Sequence, residues 1–235
     1  MAEKKVSRKE LLKEPDEFLT ASSRAVQFVR ENPRTAAIGC AILVAVVVAS
    51  VAVYSYLRYR QSTSHELFER AYRNYRTVVL AQNQPSDKQL DVLFKQFDAI
   101  QSAYPSELAG ERALLYSGHV LYMKKDYKGA LDRYTRMKST ELVADGLGGL
   151  VMYNIAMTRL ALNEYEAAKN LFDQLSKDKD SPYRRDASAS IGAIYEAMGK
   201  KKEAAQAYRQ YLKMFPKAPD APYVRARMAA LAAPE

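Results

Sequence analysis

Few residues of this chain have the types and spacing that a catalytic site, a metal site or a disulfide requires. There is one cysteine, Cys40, and there are two histidines, His65 and His119, more than fifty residues apart. A single thiol cannot form an internal disulfide, and no Cys/His metal spacing, HExxH motif or Ser-His-Asp arrangement is present. We therefore expect no enzymatic activity, no metal and no cofactor, and we expect His119 to be a packing or binding-surface histidine.

A glycine-rich run, DGLGGL at residues 145–150, is a further candidate, because glycine-rich loops can hold phosphate. It lacks the Lys-Ser/Thr pair that should follow, and it falls where a helix is expected. We interpret its glycines as a helix boundary or a close-packing feature. The acidic residues, such as Asp126, Glu164 and Glu166, are scattered, and no pair of them resembles a catalytic constellation.

The net charge of +9 comes mostly from the part of the chain after residue 34. Positive and negative residues are mixed there, which favours a solvated face, with attraction to anionic lipid headgroups as the alternative. No basic cluster is interleaved with aromatic residues in a nucleic-acid-binding motif, so we expect no nucleic-acid partner.

The elements that position these residues begin with an apolar run from Ala36 to Leu57, which is 22 residues without a charge. As a helix it measures about 33 Å, enough to cross a hydrocarbon layer of about 30 Å. It is too long, and starts too late, for a cleavable signal. Most of it follows Cys40, which excludes a lipid attachment site there. We predict an uncleaved transmembrane helix with an interfacial belt comprising Tyr54, Tyr56, Arg58, Tyr59 and Arg60.

The segment before this run has the pattern of a short amphipathic helix. Pro15 and Asp16 supply start signals, and Asn32-Pro33 supplies a stop. One broad face is apolar, which suits a helix lying in the membrane interface or docked on a membrane partner. A marginal helix with no partner is the alternative. The arginines that flank the apolar run are balanced, so charge alone favours a cytoplasmic N-terminus only weakly.

After the apolar run, helical spacing continues to Gln82, and the sequence then repeats. Three stretches align, each with a small residue (Gly118, Ala156, Gly192), a later alanine (Ala130, Ala168, Ala204) and an aromatic four residues on (Tyr134, Phe172, Tyr208). The alanines are 38 and 36 residues apart. This period is typical of a solenoid of helix pairs, in which each pair is covered by its neighbour.

These stretches resemble the tetratricopeptide repeat, most clearly the last one, with Gly192, Tyr195, Ala204, Tyr208 and Pro216 at the pattern's spacings. The resemblance implies an all-α fold in which a single transmembrane helix is followed by a tetratricopeptide-repeat α-solenoid. The expected domains are a tail with an amphipathic helix (1–34), a transmembrane helix (35–57), a linker helix (58–86) and the repeat domain (87–235).

The whole layout is similar to the bacterial inner-membrane family of ancillary SecYEG translocon subunits. That resemblance implies a protein-binding scaffold whose repeats face the periplasm and whose partners are the secretion channel and periplasmic chaperones. Membrane lipids are expected as a further partner of the apolar run and the amphipathic segment. The alternatives are a subunit of another envelope machine, for pili, motility or lipoprotein assembly, and a membrane-organising protein acting through the amphipathic helix.

The first helix of each tetratricopeptide repeat lines the concave face, so the resemblance also implies a peptide-binding groove. Projected onto this sequence, the groove consists of Leu115, His119, Tyr122, Met123, Tyr153, Met157, Leu160, Ala193 and Glu196. Aromatic and methionine side chains give an adaptable apolar surface that suits varied peptides. Some of these residues would instead be core, because the inner and outer faces differ by one residue of rotation.

Overall fold

The computed structural model describes residues 17–80 and 85–232, and it divides into two compact units, Met1–Arg60 and Gln61–Glu235. Residues 1–16 of the predicted N-terminal segment, including the helix-start signals Pro15 and Asp16, lie outside the described residues.

The described part of the first unit is helical apart from Asn32. Helix α1, Glu17–Glu31, ends before Asn32, and helix α2, Pro33–Tyr75, begins at the proline, whose missing amide hydrogen is tolerated in a first turn. Within the described residues, one helical stretch, Pro33–Val79, is long and apolar enough to cross a membrane. Among the described residues, nothing buries its most apolar window, and Cys40 is exposed.

The second unit starts with the last turns of α2 and a π-helical turn, Arg76–Leu80, and continues as a series of antiparallel hairpins. Its helices are α3 (Asp87–Ala103), α4 (Leu108–Met123), α5 (Tyr127–Arg136), α6 (Gly148–Ala161), α7 (Tyr165–Lys177), α8 (Arg184–Ala197), α9 (Lys201–Met214) and α10 (Ala221–Ala232). Each helix packs on the next one in the chain. The predicted all-α solenoid is confirmed.

The small residues and aromatics of the repeat pattern meet inside the hairpins. A Cβ atom on Gly118 would lie 2.7 Å from the ring of Tyr134, and one on Gly192 would lie 2.3 Å from the ring of Tyr208. The three repeat alanines are fully buried (Ala130, Ala168, Ala204). The pattern therefore reflects close helix approach, with the aromatic ring filling the space that the small residue leaves.

The turns inside the three hairpins share one backbone geometry. Each contains a residue with φ between 61° and 72°, namely Lys125, Asn163 and Gly199. The residue after each donates its amide hydrogen to the carbonyl oxygen five residues earlier, at 2.9 Å. This is the hydrogen bond of a Schellman motif, which ends the first helix of the hairpin.

The glycine-rich run at 145–150 lies at a helix boundary, as predicted. A π-helical turn, Val143–Leu147, contains Gly146 with a φ of 112°, and α6 begins at Gly148. The buried carboxylate of Glu111 accepts hydrogen bonds from the amides of Glu141 and Leu142, at 3.2 and 3.0 Å, and so fixes the segment that leads into this turn.

The segment predicted as a linker helix contributes to the core of the second unit. Phe68 and Ala71, near the end of α2, are buried against Leu93 and Phe97 of α3 and Ala113 of α4. At the other end of the unit, Val224 of α10 packs into a cluster with Tyr208 and Tyr211 of α9. The last hairpin is thus covered by α10.

Candidate functional site

A cavity of about 260 Å³ opens among the first hairpins of the second unit. It is lined by side chains of α2, α4, α5 and α6, and we call it the aromatic cavity: Tyr75, His119, Tyr122, Met123, Tyr134, Tyr153, Asn154 and Met157. The lining is mostly ring and thioether surface, and none of its side chains carries a formal charge at neutral pH when His119 is neutral.

His119 is the one readily titratable group in the lining. Burial lowers the pKa of its imidazole to about 4, so the ring is neutral near pH 7. The amide nitrogen of Asn154 lies 3.2 Å from Nε2 of His119, and since an amide nitrogen only donates, Nε2 accepts this hydrogen bond. The neutral ring therefore carries its proton on Nδ1.

A chain of aromatic contacts holds His119 in place. Its ring centroid lies 5.5 Å from that of Tyr116 and 5.7 Å from that of Tyr134. Tyr116 in turn lies 5.1 Å from Tyr75 and 5.4 Å from the fully buried Phe97. The wall of the aromatic cavity is continuous with the hydrophobic core, and this packing limits the rotation of its side chains.

Burial also raises the pKa values of tyrosines around the aromatic cavity. The pKa values of Tyr122, Tyr134 and Tyr153 are raised above 10, in each case chiefly by desolvation. Their hydroxyls stay protonated at physiological pH and can donate as well as accept hydrogen bonds. The arrangement therefore offers apolar contact with a few neutral polar groups.

The structure brings five of the nine predicted groove residues together in the aromatic cavity: His119, Tyr122, Met123, Tyr153 and Met157. Leu115 lies elsewhere. It is 5% exposed and belongs to a core cluster between α4, α5 and α6. Leu115 and His119 are four residues apart and lie on neighbouring parts of one helix face. The core cluster that holds Leu115 includes Tyr134, which also lines the cavity, so core and cavity adjoin here.

The other three predicted residues lie apart from the aromatic cavity. Leu160 is partly buried against the cluster that contains Phe172, and Ala193 is exposed on α8. Glu196 forms an ion pair with Arg227 of α10, so the terminal helix occupies that carboxylate.

Three residues of the lining were not predicted: Tyr75, Tyr134 and Asn154. Tyr75 shares the helical spacing of Phe68 and Tyr72, which was a signal that this face of α2 is packed. Tyr134 was predicted as the aromatic of its repeat, and its ring both packs on Gly118 and lines the cavity. Asn154 gave no signal in the sequence, since its role depends on the neighbouring repeat.

The predicted membrane-interface residues lie on α2 in the first unit. Tyr54, Tyr56 and Tyr59 are each more than half exposed, Arg58 is exposed and Arg60 is partly buried. Among the residues that the structure describes, no group of three or more His, Cys, Asp or Glu side chains is placed to hold a metal ion.

The hairpin stack and its repeated turns define a helical-repeat protein. Residues 36–233 match the tetratricopeptide repeat-like domain family, and the chain belongs to that family.

Solved structures show the same fold. A tetratricopeptide repeat protein from Parabacteroides merdae is similar with a TM-score of 0.56 at 18% identity, covering 73% of this chain and 60% of that one. A putative kinesin light chain with nearly identical TPR-like repeats, from Podosopora anserina, has a TM-score of 0.54 at 13% identity, covering 73% of this chain and 86% of that one. No curated protein matches the chain.

Proposed function

We propose that this chain is a membrane-anchored, non-enzymatic scaffold that binds other proteins and aids secretion or folding at the periplasmic face of a bacterial inner membrane. The observation that carries the proposal is the aromatic cavity, an apolar site within a repeat fold. Tetratricopeptide domains bind other proteins, and membership of the family supports the same role here.

The membrane anchor is argued from exposed apolar surface. The apolar side chains between Ala36 and Leu57 project from a helix that nothing else in the described chain covers. Apolar surface costs about 25 cal/mol per Å² in water, so a continuous exposed run of this length favours a hydrocarbon environment. In the proposal, Tyr54, Tyr56 and Tyr59 lie at the headgroup level beside Arg58 and Arg60.

The compartment and the partners rest on the resemblance to the ancillary translocon subunits. The proposed partners are the secretion channel, periplasmic chaperones and lipid. The alternative is that the chain is itself a subunit of a pilus, motility or lipoprotein-assembly machine. A second candidate is a membrane-organising protein. It is favoured by the exposed apolar residues of α1, namely Val26, Phe28 and Val29.

The first experiment recovers crosslinked partners of the full chain from native membranes. We expect the double variant Tyr122→Ala, Tyr153→Ala to lose those partners while its helical circular dichroism is retained. Tyr223→Ala is the matched control, because Tyr223 is 66% exposed on α10, outside the cavity lining. Undiminished recovery with the double variant contradicts the proposal, and loss on deletion of residues 15–32 alone favours the membrane-organising candidate.

The second experiment tests topology. Protease added to spheroplasts is expected to degrade the repeat unit, since a periplasmic domain is accessible from outside. A repeat unit that stays protected in intact spheroplasts and is cleaved after lysis would place it in the cytoplasm, which is incompatible with the proposed location.

A further inference from the structure

We propose that the aromatic cavity accepts one uncharged aromatic side chain from an extended segment of a partner protein, and that it rejects charged side chains. The inference rests on the proposed scaffold function and names the feature of the partner that the site recognises.

The size limits the occupant. Pockets that enclose a whole drug-sized molecule measure about 300–1,000 Å³. The aromatic cavity, at about 260 Å³, lies below that range. It can therefore take one large side chain, and the rest of the bound segment has to lie along the surface outside it.

The walls favour a ring. Tyr75, Tyr122, Tyr134 and Tyr153 present aromatic surface on several sides, and Met123 and Met157 add thioethers. Ring pairs in offset or edge-to-face contact gain about 0.5–1.5 kcal/mol beyond their buried area, and sulfur–ring contacts add to this. Rings already pack in this way around the site, since Tyr153 stacks on Tyr183 at 5.1 Å and meets Phe172 edge-on at 5.8 Å.

The charge of the occupant is restricted by the lining. It contains neither a carboxylate nor a cation that could pair with an ionised side chain. A buried charge without a partner is strongly disfavoured. A cation bound here would have to exchange its water for ring faces and neutral polar groups, with no carboxylate to balance its charge.

The polar pair can serve the backbone of the bound segment. The side-chain amide of Asn154 uses one N–H for Nε2 of His119. An amide group has a second N–H and a carbonyl oxygen, so Asn154 can also meet a peptide unit that passes the opening. In this mode one amide binds the extended main chain and one ring enters the cavity. The residues on either side of that ring can then vary. This fits a scaffold that meets many unfolded segments.

The experiment uses the fact that the chain contains no tryptophan. A nine-residue peptide of glycine, serine and threonine with one central tryptophan is titrated with the full chain in lipid nanodiscs, and empty nanodiscs serve as the blank. We expect a saturable blue shift of the peptide fluorescence. Competing peptides with phenylalanine at the centre should displace the probe at about 3- to 10-fold lower concentration than those with leucine. Lysine and glutamate peptides should not displace it at 100-fold excess, a threshold chosen on the cost of burying a charge.

Variants tie the signal to the cavity. Tyr153→Ala and, separately, Tyr122→Ala should abolish the blue shift, and Tyr223→Ala should leave it unchanged. Using both cavity variants guards against a folding defect in either one, which circular dichroism reports. Displacement by the lysine peptide at the phenylalanine concentration would identify a cation site instead, and equal displacement by leucine would remove the aromatic preference. Either result overturns the inference.

The outcomes also separate this inference from the proposed function. Absence of any peptide signal, together with loss of crosslinked partners in the Tyr122→Ala, Tyr153→Ala variant, contradicts the aromatic-anchor inference and leaves the scaffold function supported. Absence of both effects contradicts the two together.

Discussion

Replacing His119 by glutamine should change how the stability of the repeat unit depends on pH. The imidazole lies between the rings of Tyr116 and Tyr134 and accepts a hydrogen bond from Asn154. Burial lowers its pKa from about 6.5 to about 4. Below pH 6.5 the unfolded chain therefore binds a proton that the folded chain does not, and acid favours unfolding. The tyrosines that face the ring remain neutral throughout this range.

The magnitude follows from proton linkage. A pKa lowered in the folded state makes stability rise with pH between the two pKa values and stay constant above the higher one. Each pH unit in this window changes the free energy of unfolding by up to about 1.4 kcal/mol. His119 should therefore cost the fold roughly 2 kcal/mol at pH 5 and about 3 kcal/mol near pH 4, relative to neutral pH.

The assay is denaturant unfolding of the full chain, followed by helical circular dichroism at pH 7.5, 6.0 and 5.0. Carboxylates titrate equally in the wild type and in His119→Gln, so the difference between the two chains isolates the imidazole. We expect the wild type to lose roughly 2 kcal/mol more than the variant between pH 7.5 and 5.0. His65→Gln, at an exposed histidine on α2, should behave as the wild type. A constant difference between the wild type and His119→Gln across the series would refute the reasoning.

Two further changes test the packing and the turns. Gly192→Ala should destabilise the repeat unit by about 1–3 kcal/mol in the same assay, because the added methyl would overlap the buried ring of Tyr208. Gly148→Ala, where the nearest atoms lie at 3.7 Å, is its control, and an equal loss in both would contradict the close-approach argument. Asp126→Ala should cost about 1 kcal/mol, because its carboxylate accepts the amide hydrogen of Gly129 at 3.0 Å. Lys200→Ala, at the equivalent turn without such a side-chain cap, should cost less, and a larger loss there would argue against the cap.

The fold was predictable because its signals are local and repeated. The glycine at 118 or 192, the alanine twelve residues later and the aromatic four beyond it lie within one hairpin. Their spacing is fixed by helix geometry and by the length of one turn. Such short-range patterns specify hairpins, and stacking follows because each pair leaves an apolar face uncovered.

The candidate site was predictable only in part. His119, Tyr122, Tyr153 and Met157 face one cavity because they recur on the first helices of successive repeats, as the family geometry implies. Leu115 lies in the adjoining core, because groove and core positions are neighbours on the same face of α4 and hydrophobicity does not distinguish them.

Contacts over longer sequence distances could not be predicted. The ion pair of Glu196 with Arg227 joins residues 31 positions apart, and it depends on the angle at which α10 crosses the last hairpin. The hydrogen bond of Asn154 to His119 spans 35 positions and requires the stacking of two repeats. Neither the crossing angle of α10 nor the stacking of the two repeats is encoded in a pattern within one helix.

The division of the core among the described residues into four successive clusters also bears on how the protein comes apart. Each cluster is built from residues of neighbouring helices, and we call it a layer of the core. The loss of one layer therefore removes only part of the contacts of the next. Opening can begin at an end and advance layer by layer, and amide hydrogen exchange should then show a gradient along the chain, with the slowest rates in its middle. The aromatic cavity lies toward the α2 end of this series. Its shape is therefore retained only while the layers on both sides of it stay closed, and a ligand held there would slow the fraying that begins at α2.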